Sequence, residues 1–245
     1  MYGESGTGKS IRAAQAAEWG PILFLDFDGR SNSIKSFYSD RPEMLKNIQF
    51  ETLIDSDPNK PTVVDKVYDI VNNISEGKIK IATLVIDSWT AWESYVLNKV
   101  ITSNPENKRQ KLGFGKNRVV SVPGKADYLM HSHGQKTFLM QLKALPVNLI
   151  INCHLVEKYV EETGEVIRGV QAVGELKKIM PNYFDEVHRT FADRTGFHVQ
   201  IRPDGKWTAK TTINKGDGKD LTSLSHLALR ISTEQGAPLN SNAQA

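Results

Sequence analysis

The stretch Gly3-Glu4-Ser5-Gly6-Thr7-Gly8-Lys9-Ser10 matches the pattern G-x-x-x-x-G-K-[ST] in full. Its glycines let the backbone curl so that successive N–H groups point at phosphate oxygens, and the helix that follows adds its positive end. The pattern assigns Lys9 to the β- and γ-phosphates and the Ser10 hydroxyl to Mg²⁺. We therefore predict a site for ATP and Mg²⁺. Its predicted nucleotide-binding residues are Glu4, Ser5, Gly6, Thr7, Gly8, Lys9 and Ser10.

Short apolar runs alternate with helical patterns along the rest of the chain. Residues 22–25, 83–86 and 147–151 are such runs, the last interrupted only by Asn148. Runs of this length are typical of parallel strands that are covered on both faces. Residues 9–19 and 61–74 have helical patterns, and Gly20-Pro21 ends the first of them. The alternation predicts an α/β fold with a mainly parallel sheet.

The two ends of the chain depart from this alternation. Only Met1 and Tyr2 precede the phosphate-binding pattern, so we expect a truncated first strand or another segment in its place. Residues 197–201 and 207–213 flank Asp204-Gly205, which predicts a C-terminal β-hairpin. Residues 235–245 have no apolar period and are predicted to form a disordered tail, which leaves 1–234 as one domain.

Composition excludes several classes of protein. The chain has 245 residues, a net charge of +3 and one cysteine, Cys153, which cannot form an intramolecular disulfide. No apolar run approaches the roughly 18–20 residues that a membrane span needs, and the first residues have no signal-peptide pattern. We therefore predict a cytoplasmic protein, in the host cytoplasm if it is phage-encoded, with no membrane partner.

Two acidic strand ends are candidates for the chemistry. Asp87 follows a buried run and is predicted to hold Mg²⁺ together with Ser10, although it could instead cap the next helix. Many P-loop ATPases place a Glu directly after this Asp, but here the position is Ser88. Asp26 and Asp28 end an earlier run, and alternation puts both on one face. We predict that Asp28 is the general base; the alternative is a turn-forming Asp.

Residues 104–126 are strongly basic. Six basic side chains oppose one acidic side chain, Glu106, which gives a local net charge of +5. We expect a mobile loop that follows the backbone of single-stranded DNA; the alternative is a solvated insertion. The candidate DNA-binding residues are Lys108, Arg109, Lys111, Lys116 and Arg118.

Taken together, these features resemble the RecA-like ATPase core, and more closely the phage nucleotide-binding proteins of that class associated with single-strand annealing and recombination. The resemblance rests on residues 3–10, 25–28, 84–88, 150–154 and 181–187. It implies a RecA-like core and an acidic residue after the second strand that acts as the catalytic base, which is Asp28. It also implies a polar sensor after the fourth strand, His154. In such assemblies a C-terminal strand can present a lysine to the neighbour's ATP, here Lys210 or Lys215, so a homo-oligomeric ring or filament is implied.

The leading functional prediction is a DNA-stimulated ATPase of recombination. One alternative is a small-molecule kinase, which would need an Arg-rich lid and a closed acceptor pocket; Arg109 and Arg118 could be mistaken for such a lid. The other is a helicase loader that works through protein partners. Trp89, Trp92 and Tyr95 have helical spacing and are predicted to pack in the core or between subunits. His131 and His133 are too few to predict a metal site.

Overall fold

The structure, a computed structural model, describes residues 1–104, 110–114, 118–162 and 164–212. The predicted tail at 235–245 and four of the predicted functional residues lie outside these ranges. Those four are Lys108, Arg109, Lys116 and Lys215.

A mostly parallel sheet forms the centre of the fold, as the sequence predicts. Its strands follow the order β10-β9-β1-β7-β4-β2-β3, and β8 pairs with β7. The pairs from β9 to β3 are parallel, whereas β9–β10 and β7–β8 are antiparallel. The strands are β1 (Tyr2–Gly3), β2 (Ile22–Asp26), β3 (Ile48–Thr52), β4 (Thr83–Asp87), β5 (Lys111–Phe114), β6 (Arg118–Ser121), β7 (Asn148–Val160), β8 (Glu165–Val170), β9 (Arg189–Asp193) and β10 (Gly196–Gln200).

Helices connect these strands. The first helical pattern is shorter than predicted, because the α-helix ends at Ala14 and a 3₁₀ turn, Gln15–Trp19, completes it. In the part of the chain that the structure describes, no helix has both the length and the apolar character of a membrane span. The α-helices are α1 (Lys9–Ala14), α2 (Ser31–Phe37), α3 (Pro42–Lys46), α4 (Val63–Ser75), α5 (Trp89–Ser103), α6 (Lys125–Lys143) and α7 (Leu176–Ile179).

Strand β1 consists of Tyr2 and Gly3 and lies between β7 and β9, parallel to both. Tyr2 is opposite Cys153 on one side and Arg189 on the other. The Tyr2 hydroxyl donates to the carbonyl of Thr208 at 2.5 Å. The segment before the P-loop therefore takes the central place in the sheet that the phosphate-binding pattern requires.

The aromatic residues after Asp87 lie in the core, as predicted. Trp89 and Trp92 are 0% and 1% exposed and pack against Phe138 of α6. The indole of Trp92 donates to Gln135 Oε1 at 3.0 Å, which satisfies its only polar group. The α5 helix is therefore fixed to α6 directly behind the strand that ends at Asp87.

The C-terminal hairpin is present, but the predicted partner strand is wrong. Residues 197–200 pair with β9, and not with the described part of the predicted partner, residues 207–212. Asp193 Oδ1 accepts a hydrogen bond from Thr195 N at 2.7 Å, which closes a tight turn between the two strands. Trp207 instead covers the guanidinium of Arg189, which lies 3.8 Å from the indole centroid. A side-chain contact with another strand thus competes with the local hairpin signal.

The prediction of a mobile basic loop is wrong for the described part of 104–126. Strands β5 and β6 form an antiparallel hairpin in which Leu112 is opposite Val120, and Lys111 is opposite Ser121. Valines at 119, 120 and 122 give this segment the β-branched character that strands favour. The two candidate DNA-binding residues in the described ranges, Lys111 and Arg118, lie on these strands.

A buried carboxyl, Glu93, makes the stability of this core depend on pH. Its Oε1 accepts hydrogen bonds from Trp89 Nε1 at 3.0 Å and from Val173 N at 2.9 Å. Burial raises the pKa of Glu93 from 4.5 to about 7 despite these two bonds. The folded state therefore holds this proton more tightly than the unfolded state, and the contribution of Glu93 to stability falls as pH rises from about 4.5 through about 7.

We expect Glu93→Gln to remove this pH dependence while it keeps both hydrogen bonds through Oε1. Relative to the parent, the variant should gain up to about 3 kcal/mol of unfolding free energy between pH 5 and pH 8. Urea unfolding at several pH values measures this difference, and exposed Glu43→Gln is the control. A difference between parent and variant that stays constant with pH would contradict this role.

Candidate active site

The loop before α1 has the backbone that the phosphate-binding pattern predicts. Gly6 and Gly8 have φ of 80° and 83°, a region that side chains other than glycine rarely adopt. Lys9 is buried, and its ammonium donates to the carbonyls of Gly3 at 2.9 Å and Glu4 at 2.6 Å. Burial lowers the pKa of Lys9, while the nearby Asp87 and Asp28 carboxylates oppose that shift. The loop thus holds a cation at its mouth, where the pattern expects phosphate.

Asp87 ends β4 beside Asn152 of β7. Asn152 Nδ2 donates to Asp87 Oδ1 at 3.0 Å, and the two residues are in register. Burial raises the pKa of Asp87, and hydrogen bonds from Ser10 and Asn152 counteract it. Sequence analysis missed Asn152, although alternation along β7 places it on the same face as His154. Its buried Oδ1 has no hydrogen-bond partner among the described residues.

Asp28 and His154 meet across the cleft. His154 Nε2 lies 3.5 Å from Asp28 Oδ2, and both side chains are only about a quarter exposed, at 26% and 22%. The hydrogen bond from His154 lowers the pKa of Asp28; burial opposes this, and the Ser88 hydroxyl reinforces it. Asp28 is therefore ionised at neutral pH and can accept a proton. The backbone N–H of His154 donates to Thr90 Oγ1 at 3.0 Å, which fixes the middle of β7 against α5. Because β7 continues to Val160, the prediction that His154 follows the end of its strand is wrong.

Asp26 does not line the cleft that contains Asp28, and the prediction that the two side chains share a face is wrong. Strand β2 ends at Asp26, so its alternation does not extend to Asp28. The Asp26 carboxylate accepts hydrogen bonds from the N–H groups of Asp28, Arg30 and Ser31 at 3.2, 3.1 and 2.8 Å. The turn-forming role that we considered for Asp28 belongs to Asp26, and the turn it holds directs Asp28 into the cleft.

A cleft of about 620 Å³ brings these groups together at the carboxyl edge of the sheet. Nine of the predicted site residues line it: Ser5, Gly6, Thr7, Gly8, Lys9, Ser10, Asp28, Asp87 and His154. Arg30 and Thr190 also line it, and sequence analysis identified neither. The structure does not place Lys210 among them, since its ammonium donates to the carbonyl of Phe184 at 2.8 Å.

Thr190 of β9 connects the far strand to the P-loop. Its hydroxyl lies 2.7 Å from Thr7 Oγ1, and Thr7 also donates to the carbonyl of Glu4 at 2.9 Å. A Cβ atom on Gly3 would lie 2.2 Å from the carbonyl oxygen of Thr190. Position 3 therefore has no space for a side chain.

Comparison with known families agrees with this geometry. A family model described as an AAA domain matches residues 1–213. The chain belongs to the AAA domain family. This is a family of P-loop ATPases, whose members use a nucleotide and usually Mg²⁺. The comparison with curated proteins gave no match.

The matched range includes every strand of the AAA domain and the whole cleft. The residues at the floor of the cleft also fit a bound metal. A hydroxyl from Ser10 and a carboxylate from Asp87 are oxygen ligands of the kind that Mg²⁺ prefers, and the unpartnered Oδ1 of Asn152 lies beside them. These residues would hold the ion and its water shell next to the phosphates.

The close approach of β1 and β9 in this AAA domain gives a prediction for Gly3. We expect Gly3→Ala to lower the free energy of unfolding by about 1–3 kcal/mol, because Cβ would overlap the Thr190 carbonyl. The variant should also bind nucleotide more weakly, since the same overlap displaces the P-loop. Urea unfolding and a nucleotide titration measure the two effects.

Gly134→Ala is the matched control. Gly134 lies inside α6, and its Cβ would meet no atom within 4 Å. This variant should gain up to about 1 kcal/mol, since alanine favours a helix over glycine. Equal stability of Gly3→Ala and the parent would show that the strands can separate at no cost.

Proposed function

We propose that this AAA domain is a RecA-like ATPase that hydrolyses ATP in the course of phage-type recombination or annealing on single-stranded DNA. The observation that supports hydrolysis most directly is the contact between Asp28 and His154 in the cleft that Lys9 also lines. A site that only bound nucleotide would need the P-loop but not an ionised carboxylate facing the phosphate end.

In this proposal Asp28 is the general base. Its carboxylate accepts the proton of the attacking water, and His154 holds the carboxylate in place from the middle of β7. Lys9 leaves the carbonyls of Gly3 and Glu4 and neutralises the β- and γ-phosphates. Mg²⁺, held through Ser10 and Asp87, would neutralise phosphate charge. Because Asp28 is one methylene shorter than Glu, its position depends on the turn that Asp26 stabilises.

Asp28→Asn tests the assignment of the base. The amide keeps the size and hydrogen bonding of the carboxylate but cannot accept the proton, so we expect kcat to fall about 10²-fold or more while ATP binding persists. Phosphate release and a nucleotide titration measure the two quantities.

Two further variants make this experiment specific. Asp40→Asn removes an exposed carboxylate outside the cleft and should leave turnover unchanged. Lys9→Ala should abolish turnover, because the phosphate charge is no longer neutralised. Unchanged kcat in Asp28→Asn would assign the base to another group.

The basic segment at 104–126 supports single-stranded DNA as the partner. Two of its basic residues, Lys111 and Arg118, lie on the paired strands β5 and β6, and Lys111 is exposed. A hairpin can present basic residues to a phosphate backbone at a fixed spacing, as a mobile loop cannot. ATP hydrolysis and DNA binding can be linked through α5, which begins beside Asp87 and ends at Ser103, just before this segment.

Replacing Lys108, Arg109 and Lys111 by Ala tests the DNA interface. Up to three phosphate contacts are removed, so the slope of log K against log salt should flatten by about 2. Fluorescence anisotropy of a single strand over a salt series measures the slope. The control replaces Lys46, Lys60 and Lys66, three exposed lysines of other segments, and carries the same loss of charge.

The outcomes separate the competing functions. Equal slopes for the two triple variants would remove the DNA interface and favour an ATPase that acts through protein partners. Phosphate release that requires a small-molecule acceptor would instead favour a kinase. Action of Lys210 or Lys215 on a neighbour's nucleotide, and the ring or filament it requires, stay predictions. Such action requires Lys210 to leave the Phe184 carbonyl.

A further inference from the structure

Arg30 lies at the mouth of the P-loop, in the turn between β2 and α2. Its backbone N–H donates to Asp26 Oδ1 at 3.1 Å, so the same carboxylate that positions Asp28 also fixes the start of this side chain. At the other end of the side chain, Nη1 donates to Ser5 Oγ at 2.9 Å. Arg30 is thus anchored to β2 through its backbone and reaches the P-loop through its guanidinium.

The guanidinium is close to the groups that surround the terminal phosphate. Its charge lowers the pKa of the Lys9 ammonium and also that of the Asp28 carboxyl. Lys9 is assigned to the β- and γ-phosphates, and Asp28 faces the attacking water. Arg30 lines the cleft together with these two residues and contacts Ser5 of the P-loop, so its cation is on the side of the cleft assigned to the γ end of a nucleotide.

The contact that Arg30 makes here is weak for an arginine. Its partner is the neutral hydroxyl of Ser5, on an exposed part of the loop. A guanidinium forms stronger, two-pronged hydrogen bonds with phosphate oxygens. Two cations, Lys9 and Arg30, therefore converge on one end of the cleft, and an anion placed there would stabilise both.

We propose that Arg30 exchanges Ser5 for the terminal phosphate of ATP and binds it within the same chain. This inference rests on the proposed nucleotide site. It gives the cleft a residue that distinguishes a nucleoside triphosphate from a diphosphate. An arginine supplied by the same chain is a known way for a P-loop enzyme to stabilise the transferring phosphoryl group.

Nucleotide binding tests this role without reference to hydrolysis. ADP and a non-hydrolysable ATP analogue are titrated, each with Mg²⁺, into the parent, Arg30→Ala, Arg30→Lys and Lys35→Ala. Arg30→Ala should weaken binding of the analogue about 10- to 100-fold, since charge-assisted hydrogen bonds are lost. Binding of ADP should change less than about twofold, and Arg30→Lys should recover part of the loss.

Lys35→Ala is the matched control, because it removes one positive charge from α2 without altering the cleft. The Lys35 ammonium lies 5.2 Å from the centroid of Phe50 and does not line the cleft. It should bind both nucleotides like the parent. Equal weakening of both nucleotides in Arg30→Ala would mean that Arg30 only supports the P-loop, and no weakening would mean that it does not contact nucleotide; either result overturns the proposal. If the parent binds the analogue more tightly than ADP but releases no phosphate from ATP, hydrolysis is refuted. Selective loss of analogue binding in Arg30→Ala would still support the contact of Arg30 with the terminal phosphate.

Discussion

The register of three parallel strands determines the site. Asp26 of β2, Asp87 of β4 and Asn152 of β7 are directly opposite one another at the ends of their paired segments. All three side chains are buried, and a buried polar group destabilises the fold unless it is bonded. Each has a different role: Asp26 holds a turn, Asp87 lines the cleft with Lys9 and Ser10, and Asn152 donates to Asp87. A slip of one residue in any strand would reverse these side chains.

Asp26 and Asp28 have different roles because β2 ends at Asp26. Asp26 is the last residue of β2, and its carboxylate accepts hydrogen bonds from three N–H groups of the following turn. Asp28 comes after the strand, so it is free to meet His154 across the cleft. The same turn orients Arg30 toward Ser5. The buried Asp26 carboxylate thus positions two side chains of opposite charge, the Asp28 carboxylate and the Arg30 guanidinium, in the same cleft.

The parts of the structure that sequence could predict are those with strong local signals. The P-loop is recognisable from glycines whose backbone angles few other residues adopt. The buried strands are recognisable from continuous apolar runs. The errors occur where tertiary contacts choose between local options. Residues 197–200 pair with β9, and Trp207 packs its ring on Arg189 of that same strand, a contact that a local hairpin signal does not indicate. In 104–126 the basic charge obscured a strand pattern carried by valines. Asn152 and Arg30 become recognisable only once the register and the turn are known.

Gly3 belongs to the phosphate-binding pattern, but the structure requires glycine there for a reason other than contact with phosphate. Its φ is not positive, unlike those of Gly6 and Gly8, so the backbone at this position would accept any residue. What excludes a side chain is the carbonyl of Thr190 on the adjacent strand. Because that obstacle is main chain, no compensating substitution at position 190 can create room. The close approach of β1 and β9 therefore requires glycine at the first position of the phosphate-binding pattern. This requirement comes from the packing of the two strands and does not depend on a bound nucleotide.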